Sequence, residues 1–149
     1  MRRIIIVKST RHLTLYDESK ALLQCKIALG KNPVGPKERE GDGRTPEGAY
    51  YICLKREEGK FGCALGISYP SLRDAQAAGI TDEHLLALFE TAQRQQKRPP
   101  WGTPLGGEIY IHGGGTASDW TAGCIALEQA DMDRLFSLCQ EGDRVIIAP

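Results

Sequence analysis

The chain has 149 residues, the length of one ordinary domain, and a domain of that length buries roughly 70% of its unfolded surface. Hydrophobic residues at 41% and charged residues at 26% argue against disordered, collagen-like and disulfide-scaffold compositions. Nineteen Lys+Arg balance nineteen Asp+Glu, and no basic stripe is interleaved with aromatics, so nucleic acid is not an expected partner.

The first third reads as β-structure. Arg3 to Ser9 is rich in Ile and Val, His12 to Tyr16 alternates around Leu13 and Leu15, and Leu23 to Leu29 sets Leu23, Cys25, Ile27 and Leu29 on one face. Turns at Ser9-Thr10-Arg11 and Asp17-Glu18-Ser19 make these a three-stranded meander. Gly30 to Gly48 is rich in Gly, Pro and charge and reads as a long surface loop, a kind that is usually functional or mobile. Ala49 to Leu54 and Phe61 to Tyr69 are the next strands. Ser71 to Ala78 predicts a short helix. Thr81 to Lys97 predicts a longer one, capped by Thr81, with Leu85, Leu86, Leu88 and Phe89 on its apolar side and Pro99-Pro100 ending it. Gly107 to His112 is a strand running into Gly113-Gly114-Gly115. Ala130 to Leu138 is a helix turning Met132, Leu135 and Leu138 inward, and Gly142 to Ile147 closes the sheet.

Strands outnumber helices and there is no βαβ alternation, so the expectation is one mainly β domain over residues 1–149: a sandwich of mixed β-sheets with two or three peripheral helices. No apolar run approaches the roughly 18 residues of a membrane span, and the longest near the N-terminus is Ile4 to Val7. Arg2 and Arg3 lead straight into that strand, which does not fit a secretory signal peptide. Five cysteines without CxxC spacing predict free thiols rather than a disulfide framework or zinc ribbon.

The chemistry concentrates in IYIHGGGTASDWTAGCIALE, residues 109 to 128. A strand delivers His112 to its end, a glycine-rich loop turns the chain back, and Thr121-Ala122-Gly123-Cys124 leads into a short apolar run. A thiol is only a few per cent ionised at neutral pH, so an adjacent imidazolium that stabilises the thiolate is what makes a cysteine a nucleophile. Gly123 lets a substrate carbonyl approach, and the N–H groups of Gly123 and Cys124 are the expected oxyanion donors. The same residue types also fit a buried small hydrophobe and a hydrogen-bonded surface histidine, so local pattern leaves both readings open.

Five motifs in order carry a resemblance: GDGRTPEGAY (41–50), ISYPSLRDA (67–75), LGGEIYIHG (105–113), DWTAGCIAL (119–127) and GDRVII (142–147). Together they resemble the L,D-transpeptidase (YkuD-type) catalytic domain over nearly the whole chain, and most closely its branch with a D-W-T-x-G-C-I-A-L signature. The resemblance implies a ping-pong reaction without a cofactor. Cys124 attacks the L,D bond between the third residue, a diamino acid, and the fourth, D-Ala, of a peptidoglycan stem peptide, with His112 as base and then acid. Gly113 stands where the family places the group that orients the histidine, and its backbone alone can act there. Hydrolysis of the same bonds (carboxypeptidase, cross-link cleavage, release of an envelope lipoprotein) differs only in the acyl donor and in what resolves the acyl-enzyme. A non-catalytic peptidoglycan-binding module is the rival class. The resemblance also implies the periplasm or cell envelope; with no signal peptide evident and four further thiols, a cytoplasmic location stays open. A monomer is expected.

The commoner family signature is Ser/Thr-His-Gly-Cys with Arg or Asn two residues after the cysteine. Here Thr121 fits, Ala122 replaces the second histidine and Ala126 the Arg or Asn, and His112 lies only 12 positions before Cys124. Ala126 removes a possible anchor for a substrate carboxylate. Tyr69, Arg73, Asp119, Trp120 and Thr121 are expected in the substrate pocket, and Trp101 is a candidate for its wall. His12 and His84 carry no expected chemistry, and Cys25, Cys53, Cys63 and Cys139 are expected to be structural. A zinc site would need a further convergent ligand that the local sequence does not offer.

Overall fold

A computed structural model describes all of residues 1–149. The meander is β1 (Arg2–Val7), β2 (His12–Asp17) and β3 (Lys20–Ala28). Period-two alternation turns Ile4, Ile6, Leu13, Leu15 and Ile27 inward, each no more than 1% exposed. Arg11 and Glu18, both with φ of 53°, supply the left-handed residues of the two turns. Next come β4 (Gly48–Gly59) and β5 (Gly62–Ile67), then helices α1 (Leu72–Ala77) and α2 (Glu83–Gln95). The chain ends with β6 (Tyr110–His112), β7 (Ile125–Leu127), α3 (Gln129–Leu138) and β8 (Arg144–Ala148).

These strands form a closed barrel in the order β1-β2-β3-β7-β6-β5-β4-β8, not the expected sandwich of separate sheets. The reason lies in two long strands. β3 pairs with β2 on one side and β7 on the other, and β4 pairs with β8 and β5, so each passes from one sheet into the next. Register shifts fall between Leu15 and Tyr16, Ile52 and Leu54, and Arg56 and Gly59, and the second of these lies where β4 passes from β8 to β5. Closure leaves no edge strand unpaired. Two pairings, β1 with β8 and β6 with β7, are parallel.

The helices differ from the sequence reading mostly at their ends. Ser71 caps α1 in a capping box with Asp74. The α2 cap is Asp82 rather than Thr81: its carboxylate accepts from the His84 and Leu85 N–H groups. That helix stops at Gln96 in the left-handed conformation, before the prolines, and Leu88 faces solvent while Phe89 is buried. On α3, Met132 and Leu135 are fully buried and Leu138 only partly so. The strand expected from Gly107 begins only at Tyr110, because Gly106 (φ 84°) and Glu108 (φ 55°) break the extended backbone.

The long loop between β3 and β4 is pinned from inside. The Asp42 carboxylate accepts from the Glu38, Arg39 and Arg44 N–H groups and from Lys37 Nζ at 2.9 Å, in an ion pair nearly closed to solvent. Lys8, 3% exposed just past β1, donates to the Gly35 and Thr45 carbonyls and to Glu47. Against the raising effect of burial, the Glu38, Arg39 and Arg44 N–H groups and Lys37 hold the Asp42 carboxyl at about 2. A depressed carboxyl pKa contributes stability that is present above the unfolded value of about 3.9 and lost as pH falls through about 2. Asp42→Asn should therefore be less stable than wild type near neutrality, with the gap closing between about pH 4 and pH 2; urea midpoints across that range measure it.

Candidate active site

β6 and β7 lie side by side and parallel, Ile111 opposite Ile125 and His112 opposite Ala126. Ile111, Ile125 and Leu127 fill the core, so the alternate residues Tyr110, His112 and Cys124, the last immediately before β7, face outward together. β5 extends that face by pairing Ala64 with His112. The result is one cleft of about 170 Å³ lined by His112, Cys124, Tyr110, Ala64, Phe61 and Arg56, among others.

His112 is 7% exposed and held on three sides. Its Nδ1 lies 2.6 Å from the Gly113 carbonyl oxygen. A carbonyl only accepts, so this contact assigns the proton to Nδ1 and leaves the Nε2 lone pair free. Phe61 stacks on the imidazole at 4.6 Å and 17°, and Trp120 meets it edge-on at 5.7 Å. Burial lowers the imidazole pKa below its ordinary 6.5, partly opposed by the Gly113 carbonyl.

Cys124 Sγ accepts from the Tyr110 N–H at 3.3 Å and points its own hydrogen at the Glu108 carbonyl, 3.6 Å away. Burial raises its pKa above the ordinary thiol value, while the Tyr110 N–H and the Lys37 charge pull it down and Glu108 pushes it up. The sequence reading expects a thiolate stabilised by an imidazolium. Burial shifts both groups the other way, toward a neutral thiol beside a neutral imidazole.

The turn before Cys124 is braced by Thr121, whose Oγ1 donates to the Cys124 carbonyl at 2.7 Å and accepts from the Gly123 N–H at 3.1 Å. The Gly123 amide, expected as an oxyanion donor, is thus committed inside the turn, whereas the Cys124 N–H donates to no group of the chain. Gly123 itself is required: its φ is 145°, and a Cβ there would sit 2.7 Å from the Arg44 carbonyl oxygen. Thr121 also exchanges backbone bonds with Leu29 and Lys31, and Gly30 presses so close that a Cβ would fall 2.1 Å from the Gly43 oxygen. The β6–β7 connection is fixed by Glu128, which accepts from Thr116 N and Oγ1, and by Trp120 Nε1 donating to the Gly115 carbonyl.

The expected pocket residues divide. Trp120 stands against His112. Thr121 shapes the turn before Cys124 from a buried position and does not line the cleft. Tyr69 is corrected to a core residue: it is 0% exposed, its hydroxyl donates to the Leu105 carbonyl at 2.9 Å, and it packs edge-on against Tyr50. Arg73 is on the exposed side of α1, outside the cleft. Asp119 is an anchor, accepting from the Arg11 guanidinium at 2.8 Å and from the Leu29 N–H. Trp101 donates to the Tyr69 carbonyl and meets Tyr110 edge-on, so it supports the cleft wall from behind. Ala122 is exposed and Ala126 is 0% exposed, so neither adds a polar atom. Cys25, Cys53 and Cys139 are buried and raised to about 12 by burial, while Cys63 is partly exposed beside Asp133. Sequence reading missed Arg56, Phe61 and Tyr110. Tyr110 was recoverable from the alternation that places it on the His112 side, but Arg56 and Phe61 arrive by folding back of the β4–β5 hairpin.

A mixed barrel with a histidine on one of two adjacent parallel strands and a cysteine just before the other is the frame of the site, and comparison with solved structures agrees on the fold. The helical cell shape determining protein Pgp2 from Campylobacter jejuni superposes with a TM-score of 0.69 at 24% identity, over 98% of this chain and 46% of that one. The Ldtfm-avibactam carbamoyl enzyme gives 0.62 at 16% identity, covering 99% and 48%. An L,D-transpeptidase from Mycobacterium smegmatis gives 0.59 at 13% identity, covering 99% and 58%. The chain therefore spans about half the length of these proteins. No curated protein sequence matches it. The model of the YkuD family, the L,D-transpeptidase catalytic domain, matches residues 1–147, and the chain belongs to that family.

The aromatic cage generates a direct test. Phe61→Ala opens one face of the imidazole to water, so the His112 titration midpoint, below 6.5 in wild type, should rise toward 6.5; NMR of the three histidine rings measures it. An unchanged midpoint would show that Phe61 does not desolvate the ring.

Proposed function

We propose that the chain is a cysteine acyl transferase or peptidase acting on the L,D bond of peptidoglycan stem peptides, working as one domain. The observation that carries this reading is the placement of Cys124 and His112 on one cleft, with Nδ1 of the histidine turned to the Gly113 carbonyl. Family membership supports it. His112 Nε2 takes the thiol proton as the sulfur bonds to the carbonyl carbon of the third residue, the one joined to the D-Ala nitrogen, and the Cys124 N–H donates to the developing oxyanion. His112 then protonates the departing amine, leaving a thioester. An amine resolves it in transfer, and water resolves it in hydrolysis. Because burial keeps both groups neutral at rest, His112 acts as a base during attack and no ion pair need form first.

Transfer is the first reading. Hydrolysis, including release of an envelope lipoprotein, is the second, and the likeness to a protein that determines cell shape favours some form of wall editing at the cell envelope. Intact sacculi separate the outcomes when muropeptides are identified by mass spectrometry. New 3-3 cross-links mean transfer, tripeptides from tetrapeptides mean carboxypeptidase action, and freed lipoprotein peptide means release. A protein that binds sacculi and changes none of these is a binding module.

Cys124→Ala should lower turnover by about 10³-fold or more and abolish the covalent adduct with avibactam or a carbapenem, read as a lost mass shift; retained turnover would sink the mechanism. The pH profile checks the neutral pair. Activity should rise through a midpoint below 6.5, as His112 loses its proton, and fall only above about 9, as the thiol ionises. Iodoacetamide labelling of Cys124, which needs the thiolate, should still be climbing where peptide turnover is already flat. Coincident midpoints would instead indicate a preformed ion pair.

A further inference from the structure

Two cations at the mouth of the cleft have no partner in the chain. Arg56, near the end of β4, and Lys60, in the turn before β5, line the same small cavity as Cys124 and His112. Neither takes part in a salt bridge or donates a side-chain hydrogen bond, although Glu57 and Glu58 adjoin them in sequence. Both sit over ring faces instead: the Arg56 guanidinium carbon is 5.7 Å from the Tyr110 ring centre, and Lys60 Nζ is 5.5 Å from that of Phe61. Ring contact holds the stems in place while leaving the N–H groups free to donate.

The rest of the cleft needs such a group. Its other walls are Phe61, Ala64, Tyr110, the neutral His112 and glycine backbone, and they carry no charge. Ala126, where the commoner signature has Arg or Asn, is 0% exposed and offers only a methyl group. Arg56, Lys60 and Cys124 line this one cavity together. Whatever anion Arg56 meets is therefore close to the bond being broken.

Building on the acyl-transfer reading above, we infer that Arg56, assisted by Lys60, recognises a substrate carboxylate within one residue of the scissile bond, taking over the anchoring that Ala126 cannot supply. The fork of the guanidinium matches a carboxylate with two parallel N–H···O bonds, and Lys60 adds a second positive charge. Two carboxylates fit: the terminal one of the fourth residue and the side-chain one of a diaminopimelate at the third. The anchoring group thus comes from a hairpin across the cleft rather than from the nucleophile's own strand.

Calorimetric binding to the Cys124→Ala protein tests this without turnover. Four synthetic stem tetrapeptides serve as probes: diaminopimelate or lysine at the third position, each with a free or an amidated terminus. Against Arg56, loss of the recognised carboxylate should weaken binding about tenfold or more; in the added Arg56→Ala background the same loss should have almost no effect. Lys60→Ala should give a smaller loss, and Arg56→Lys should restore part of the discrimination. The series that responds to Arg56 names the carboxylate. Equal discrimination with and without Arg56, or none with it, overturns the inference. Turnover of the tetrapeptide by protein with Cys124 intact is read separately. Discrimination without turnover sinks the acyl-transfer reading and leaves this one standing, and turnover without discrimination does the reverse.

Discussion

The parallel pairing of β6 with β7 is the constraint on which the site depends. Each strand is three residues long, too short to persist alone, and each is held from its far side: β6 by β5 and β7 by β3. Because β3 and β4 carry the ladder from one sheet into the next, the barrel closes around this pair and fixes its register. Register decides the chemistry. With Ile111 opposite Ile125, one side of the two strands is sealed into the core and the other presents His112 and Cys124 together. A slip of one residue would send the imidazole into the core and an isoleucine to the cleft.

Close support of this kind explains where the motifs that touch no substrate belong. GDGRTPEG supplies the floor beneath the Cys124 turn: Asp42 gathers its own loop, Gly43 and Arg44 pass against Gly30 and Gly123, and Lys8 ties the far end to β1. Asp119 and Thr121 in DWTAGC fasten the turn to Arg11, Leu29 and Lys31. Tyr69 in ISYPSLRDA secures the segment that leads to β6 through Leu105. These residues set the position of the sulfur, through side-chain hydrogen bonds at Asp42, Asp119, Thr121 and Tyr69 and through close backbone packing at Gly30, Gly43 and Gly123.

Burial gives the site its electrical character. The Phe61 and Trp120 rings that orient the imidazole also remove water from it, which lowers its pKa below 6.5 and favours the neutral, proton-accepting form. The same exclusion raises the cost of a resting thiolate. A cleft of this sort is apolar at its floor and charged at its rim, with Arg56 and Lys60 placed where a substrate anion would arrive.

By itself the sequence determined most strands and all three helices in order, though not β7 as a strand nor the outward turn of Leu88, and the segment holding the candidate nucleophile and base, because alternation, caps and glycine signals act over a few neighbouring residues. Its ordered motifs also determined the family. Tertiary structure alone decided three things. The sheets close into a barrel because two long strands, β3 and β4, each pair with neighbours in both sheets, a handover that no local pattern marks. Tyr69 and Thr121 are supports rather than pocket walls because their hydroxyls find buried carbonyls remote from, or folded back on, their own segment. The Cys124–His112 cleft is completed by Arg56 and Phe61, roughly fifty or more positions away in the chain. Which side chains share a cavity, and what charge they can hold there, depends on contacts between distant segments, and those exist only once the chain has closed on itself.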